Sequence, residues 1–270
     1  MRPHPAAFAE MLRCTLLGQL RNRMALLLAV AFIPAWIAVA RVCASGQVVR
    51  FPLGSLGTDA ASRASDVSQV VNALAAVTLV IGFVTFMETY KAGNMDRRLL
   101  LAGYPRVPML LAKVAGVALI ATLLALYTVA VLWVSVPVRQ WGPLTLGLFG
   151  AGLAYGGIGL LLGSLVRGEL EGFFLVIMLS LVDTGLQNPV LTVVDLSGPE
   201  ALPLYGANQL ALAAAFTSST PWTYGLFSLA WSAAASALAL LVFQVRTRSH
   251  CAGGAAAATG VPAPVTAAEP

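Results

Sequence analysis

The chain has 270 residues; 59% fall in the apolar and aromatic set and only 10% are charged, with a mean hydropathy of +0.84. A soluble domain carries about 25% charged residues, so this chain cannot cover a water-facing surface and is read as an all-α integral membrane protein. A net charge of +5 would suit nucleic acid in a soluble protein, but the basic residues gather at the ends of apolar stretches, so they are read as topology signals and no nucleic-acid partner is expected.

Residues 1–23 form the first unit. Phe8, Met11, Leu12, Leu16 and Leu20 fall on one helical stripe, while Glu10, Arg13, Gln19 and Arg23 lie largely elsewhere. The spacing predicts an amphipathic helix in the cytoplasmic interface, its arginines facing anionic headgroups. The alternative is a ragged early start to the first span. Residues 1–10 are polar and contain proline, so no signal peptide is expected.

Residues 24–248 form the membrane domain. A hydrocarbon core of about 30 Å needs about 20 apolar helical residues. Six stretches meet or approach that length: 24–42, 68–87, 107–136, 142–166, 172–187 and 222–245. With the N-terminus inside, twelve basic residues are cytoplasmic: Arg2, Arg13, Arg21, Arg23, Lys91, Arg97, Arg98, Arg106, Lys113, Arg167, Arg246 and Arg248. Four are outside: Arg41, Arg50, Arg63 and Arg139. This asymmetry predicts N-in, C-in. Residues 249–270, rich in Ala, Gly and Pro, are expected to be a disordered cytoplasmic tail.

The fifth span is short and carries Asp183, followed by Gln187, Asn188 and Pro189. A carboxylate within a bilayer is a candidate for translocation. Alternatively it holds backbone amides of a broken helix. After it, residues 188–221 lack Arg and Lys and are interrupted by Pro189, Pro199 and Pro203. This predicts a re-entrant segment between spans five and six, with a helix over 205–216. In the fourth span, Gly152 and Gly156 form G-x-x-x-G, as do Gly159 and Gly163. Such pairs predict close helix packing, with a partner in this chain or another.

Several chemistries are excluded. The cysteines Cys14, Cys43 and Cys251 have neither C-x-x-C spacing nor an even count, so no disulfide framework or zinc site is expected. His4 and His250 lie outside the spans, H-E-x-x-H is missing, and neither Lys91 nor Lys113 belongs to a G-x-x-x-x-G-K-[ST] loop. No catalytic, cofactor or metal residue is assigned.

The cytoplasmic stretch 88–108 is longer than a simple turn. Met95, Leu99 and Leu101 predict one face of a short helix beside Asp96, Arg97 and Arg98, bounded by a Gly-Tyr-Pro-Arg turn. A loop that only fixes topology needs basic residues but no apolar stripe. The pattern Glu88, Gly93, Arg98-Leu99-Leu100, Tyr104-Pro105-Arg106 and Lys113 resembles the corresponding loop of type-2 ABC transporter permeases. The stretches 181–189, 202–211, 215–217 and 221–222 are similar to actinobacterial members. Asn94-Met95-Asp96 departs from the Thr-containing stretch common in that family. The resemblance implies a six-span permease domain with a cytosolic coupling helix, carried here by Glu88, Lys91, Met95, Asp96, Arg97, Arg98, Leu99, Leu101, Tyr104 and Arg106.

It further implies pairing with a second permease copy or a homologous permease in the lipid of a bacterial cytoplasmic membrane. Two copies of a separate ATPase subunit would hold ATP and magnesium, and the substrate would move outward. Arginine far outnumbers lysine, and alanine is abundant, a composition that points to a GC-rich bacterial genome. A secondary transporter or channel using Asp183, or a non-transporting membrane scaffold, are the alternatives.

Overall fold

The computed structural model describes residues 4–21, 23–54, 57–102, 106–166, 168–190 and 201–258. Eight helices are described: α1 (His4–Arg21), α2 (Arg23–Cys43), α3 (Ala64–Leu101), α4 (Arg106–Trp133), α5 (Trp141–Leu165), α6 (Glu169–Leu186), α7 (Tyr205–Phe216) and α8 (Trp222–Ala258). Three described segments are long and apolar enough to cross a membrane: Ala64–Gly93, Leu111–Trp133 and Trp141–Leu165. Their surroundings invert a soluble bundle. Leu123 on α4, Phe174 on α6 and Leu226 on α8 are exposed, whereas the buried set includes Gln69, Asp183 and Asn208.

Helix α5 lies at the centre, and its glycines let four helices approach it. A β-carbon at Gly152 or Gly156 would press on Ala121 or Val117 of α4. One at Gly159 or Gly163 would strike Thr85 or Thr89 of α3. Gly147 meets Ala207 and Ala211 of α7, and Gly157 meets Ala235 of α8. The partners of both G-x-x-x-G pairs are therefore helices of this same chain, and the two pairs serve different neighbours. Close backbone approach gains dispersion contact where lipid provides no hydrophobic drive.

These contacts also fix direction. Matched positions rise together between α3 and α5 and between α5 and α8, and run oppositely between α4 and α5. Helix α6 is antiparallel to α3: Thr78 Oγ1 lies 2.8 Å from Ser180 Oγ, and the Phe83 and Phe173 rings stack with centroids 4.3 Å apart. Helix α2 contains Pro34, which has no N–H for the carbonyl of Val30. The Tyr127 hydroxyl of α4 donates to that carbonyl at 2.8 Å, so the proline break is satisfied by a neighbouring helix.

Three sequence expectations need correction. The fold is not all-α: β1 (Val48–Leu53) pairs antiparallel with β2 (Thr58–Arg63). Phe51 and Leu53 are buried while Pro52 between them is exposed, the alternation of a half-buried strand. At the turn, Gly57 has φ 60° and donates its N–H to the Leu53 carbonyl at 3.0 Å. The segment expected as a separate short coupling helix is instead the end of α3, a helix of 38 residues. Charged side chains do not stop a helix; the Gly-Tyr-Pro sequence beyond Ala102 does. Finally, residues 249–258, expected to be disordered, continue α8 to Ala258. Alanine is the strongest helix former, and the run of alanines there extends the helix. The rest of the expected tail, 259–270, lies outside the described residues.

Candidate functional site

Helix α7 has 12 residues, about 18 Å at 1.5 Å per residue, too short for a core of about 30 Å. It is nonetheless almost wholly buried, Ala207, Ala211, Ala213, Ala214 and Ala215 being inaccessible. Its N-terminal end lies inside the bundle: Gly206 approaches Ser228 of α8, and Ser228 in turn approaches Gly150 of α5. Its C-terminal end reaches the α4–α5 connection. A buried helix must have partners for the backbone groups its ends leave unpaired.

Asp183 supplies them at the N-terminal end. It sits in the last turn of α6 and is 1% exposed. Its Oδ2 accepts the Leu204 N–H at 3.0 Å, immediately before α7, and the Tyr155 hydroxyl at 2.7 Å. Its Oδ1 accepts the Gln187 amide. The Asn208 amide of α7 donates to the Gln187 carbonyl at 3.0 Å. A carboxylate at the positive end of a helix dipole is favourably placed. Asn188 is close in sequence but turns aside, its Oδ1 accepting the Val190 N–H at 3.0 Å and closing the end of α6.

The opposite end of α7 is fastened by the α4–α5 connection. The N–H groups of Arg139 and Gln140 donate to the carbonyls of Ala215 and Ala214 at 3.1 and 3.0 Å. Gln140 Nε2 donates to the Thr217 carbonyl at 3.1 Å, and its Oε1 accepts the Thr220 hydroxyl at 2.6 Å. No known family model and no curated protein matches this chain.

Of the residues singled out in the sequence, Asp183 and Gln187 are brought together and Asn188 is placed beside them. Tyr155, Gln140 and Asn208 were missed. A phenol within an apolar, glycine-rich helix is itself a signal, because its hydroxyl must find an acceptor; its acceptor lay too far along the chain to identify. The coupling candidates lie on the last turns of α3. Glu88 is half-buried and engaged in an interaction; Lys91, Met95 and Arg98 are exposed; Leu99 is half-buried. Asp96, Arg97 and Leu101 belong to α3 and Arg106 begins α4, but their side chains lie outside the described residues, as does Tyr104 altogether.

Proposed function

We propose that this chain is the membrane permease subunit of an ATP-driven exporter of the type-2 ABC kind, crossing a bacterial cytoplasmic membrane six times. Besides the three full-length apolar helices, α2, α6 and α8 serve as spans with 21, 18 and 37 residues; the shortest reaches about 27 Å. The helix directions support the charge count. The α3–α4 turn, with Lys91, Arg97, Arg98, Arg106 and Lys113 near it in the chain, lies at one end of the bundle. Arg41, Arg50, Arg63 and Arg139 belong to segments at the other. The richer end is cytoplasmic by the positive-inside rule, and α7 then re-enters from the outer side.

The observation that carries this reading is the length of α3. Its 38 residues span about 57 Å, nearly twice a hydrocarbon core of about 30 Å. Glu88 to Leu101 thus extend toward the cytoplasm on the same helix that packs against α5 and α6. Force applied near Leu99 is carried into the bundle without an intervening hinge. Two copies of a separate ATPase subunit hold ATP and magnesium, and a second permease copy completes the path. ATP shifts the population toward one arrangement by its differential affinity for it. This chain performs no covalent step. The hydrogen bonds that engage Asp183 favour an anchoring role over an ion relay.

Leu99→Asp tests the coupling. A carboxylate desolvated in a partner groove is costly, so the variant should insert normally, lose the ATPase subunit on purification and lose transport. Leu99→Asn should show the same defect in milder form. Normal assembly and turnover of a correctly inserted Leu99→Asp protein would end the coupling assignment.

A further inference from the structure

Outside the α7 anchor, the ends of α2, α3 and α4 enclose an open groove of about 460 Å³. Its walls are aliphatic, with Pro34 and Ile37 from α2 and Val131 from α4. Its single charged lining residue is Arg41, in the last turn of α2, exposed and without an acidic partner among the described residues. Two oxygens of its lining side chains have no hydrogen-bond partner, Gln69 Oε1 and Ser135 Oγ. Gln69 is 1% exposed and lies in the second turn of α3, while Ser135 follows the end of α4. All three polar groups therefore stand near helix ends, at the level where apolar chain meets water in a membrane protein.

We propose that this groove binds an anionic phospholipid, its phosphate on Arg41 and one acyl chain along Pro34, Ile37 and Val131. Charge complementarity selects the occupant. A cation at the rim of an aliphatic channel matches a ligand with an anionic head and an apolar tail, and guanidinium binds phosphate through paired hydrogen bonds. Because Ser135 Oγ has no present partner, turning its hydroxyl toward a phosphate breaks no bond; Gln69 Oε1 is likewise unpartnered, while its Nε2 donates to the Ser65 carbonyl at 3.2 Å. The inference rests on the chain's lying in a membrane and is independent of coupling to an ATPase.

The full chain, purified in neutral detergent, is titrated with phosphatidylglycerol or with phosphatidylcholine of the same acyl chains. Bound lipid is counted by native mass spectrometry and thermal unfolding is followed in parallel. A basic residue near a membrane surface contributes about a fivefold preference for anionic lipid, so phosphatidylglycerol should be retained about fivefold better. Arg41→Gln should bring the two lipids level, while Ala130→Phe, which fills the groove without changing its charge, should remove binding of both. Equal retention of the two lipids by the unaltered chain overturns the proposal. So does a preference that survives Arg41→Gln, equal protection by inorganic phosphate alone, or a second copy of the chain occupying the groove in place of lipid.

Discussion

Tyr155 of α5 and Asp183 of α6 are joined by a 2.7 Å hydrogen bond between the phenol and the carboxylate, and the same carboxylate oxygen receives the backbone N–H of Leu204. One side chain of α6 thereby connects the central helix to the start of the buried half-length helix. Tyr155→Phe should lower the unfolding free energy by about 1–2 kcal/mol, the net worth of a buried hydrogen bond. Asp183→Ala should cost more, because it leaves the Leu204 N–H and the Gln187 amide without their acceptor, at about 1–3 kcal/mol for each buried group, and leaves the Tyr155 hydroxyl only the Leu179 carbonyl at 3.2 Å. Asp183→Asn, which keeps one acceptor oxygen, should fall between. Thermal unfolding in detergent gives the order; a fully stable Asp183→Ala protein that has lost transport would assign the carboxylate to the translocation path instead.

The glycines of α5 predict a contrast between sites. At Gly159 a β-carbon would overlap Thr85 Oγ1 and stand 2.6 Å from the Gly82 carbonyl oxygen. That carbonyl belongs to the backbone and cannot turn away. Gly159→Ala should destabilise by about 1–3 kcal/mol, the usual penalty of overpacking. Gly93 on the extended part of α3 has nothing within 4 Å of the same atom. Gly93→Ala should keep or raise stability by up to about 1 kcal/mol. If the ATPase subunit approaches the helix closely there, it should also weaken coupling. Equal stability losses at the two sites would contradict the packing described for α5.

Two exposed cysteines probe topology. Cys14 lies on α1 and Cys43 ends α2, and both are free. In intact cells a membrane-impermeant maleimide should label Cys43 and leave Cys14 and Cys251 unmodified until the membrane is opened. Single-cysteine variants separate the three signals. Labelling of Cys251 in sealed cells would remove the six-span arrangement.

The hairpin predicts a localised effect. Phe51 of β1 is 1% exposed and meets the Phe216 ring of α7 edge to face, with centroids 6.0 Å apart. Phe51→Ala should cost about 3–5 kcal/mol, as large-to-small changes in a core do. Arg50, opposite Ala61, and Arg63, opposite Val48 at the open end of the hairpin, provide trypsin sites. Cleavage there should accelerate in the variant while the helices stay protected. Unchanged cleavage and stability would show that the hairpin does not depend on this contact.

The sequence made the long helices legible because an apolar run of sufficient length has few other outcomes. The helix over 205–216 was legible for a related reason: the run is apolar, and three prolines precede it. The hairpin was not, since two six-residue strands with Pro52 in the first carry too weak an alternation to stand out among apolar helices. Nor was the continuity of α3, because a charged stretch after a span reads as a loop although its residues are good helix formers.

Around Asp183, composition alone marked a carboxylate among apolar residues, and the Gln-Asn-Pro that follows marked a chain break. Which groups it would hold was decided only in three dimensions. Tyr155 and Leu204 lie 28 and 21 positions away, and no local rule relates residues at such separations. The same division holds across the molecule. Local backbone preference and apolar length, both properties of neighbouring residues, determined the main helices, and the basic residues between them are the basis of the proposed orientation. Which glycine met which helix, and which donors met the buried carboxylate, depended on packing among segments distant in the chain, because those energies exist only once the helices are side by side.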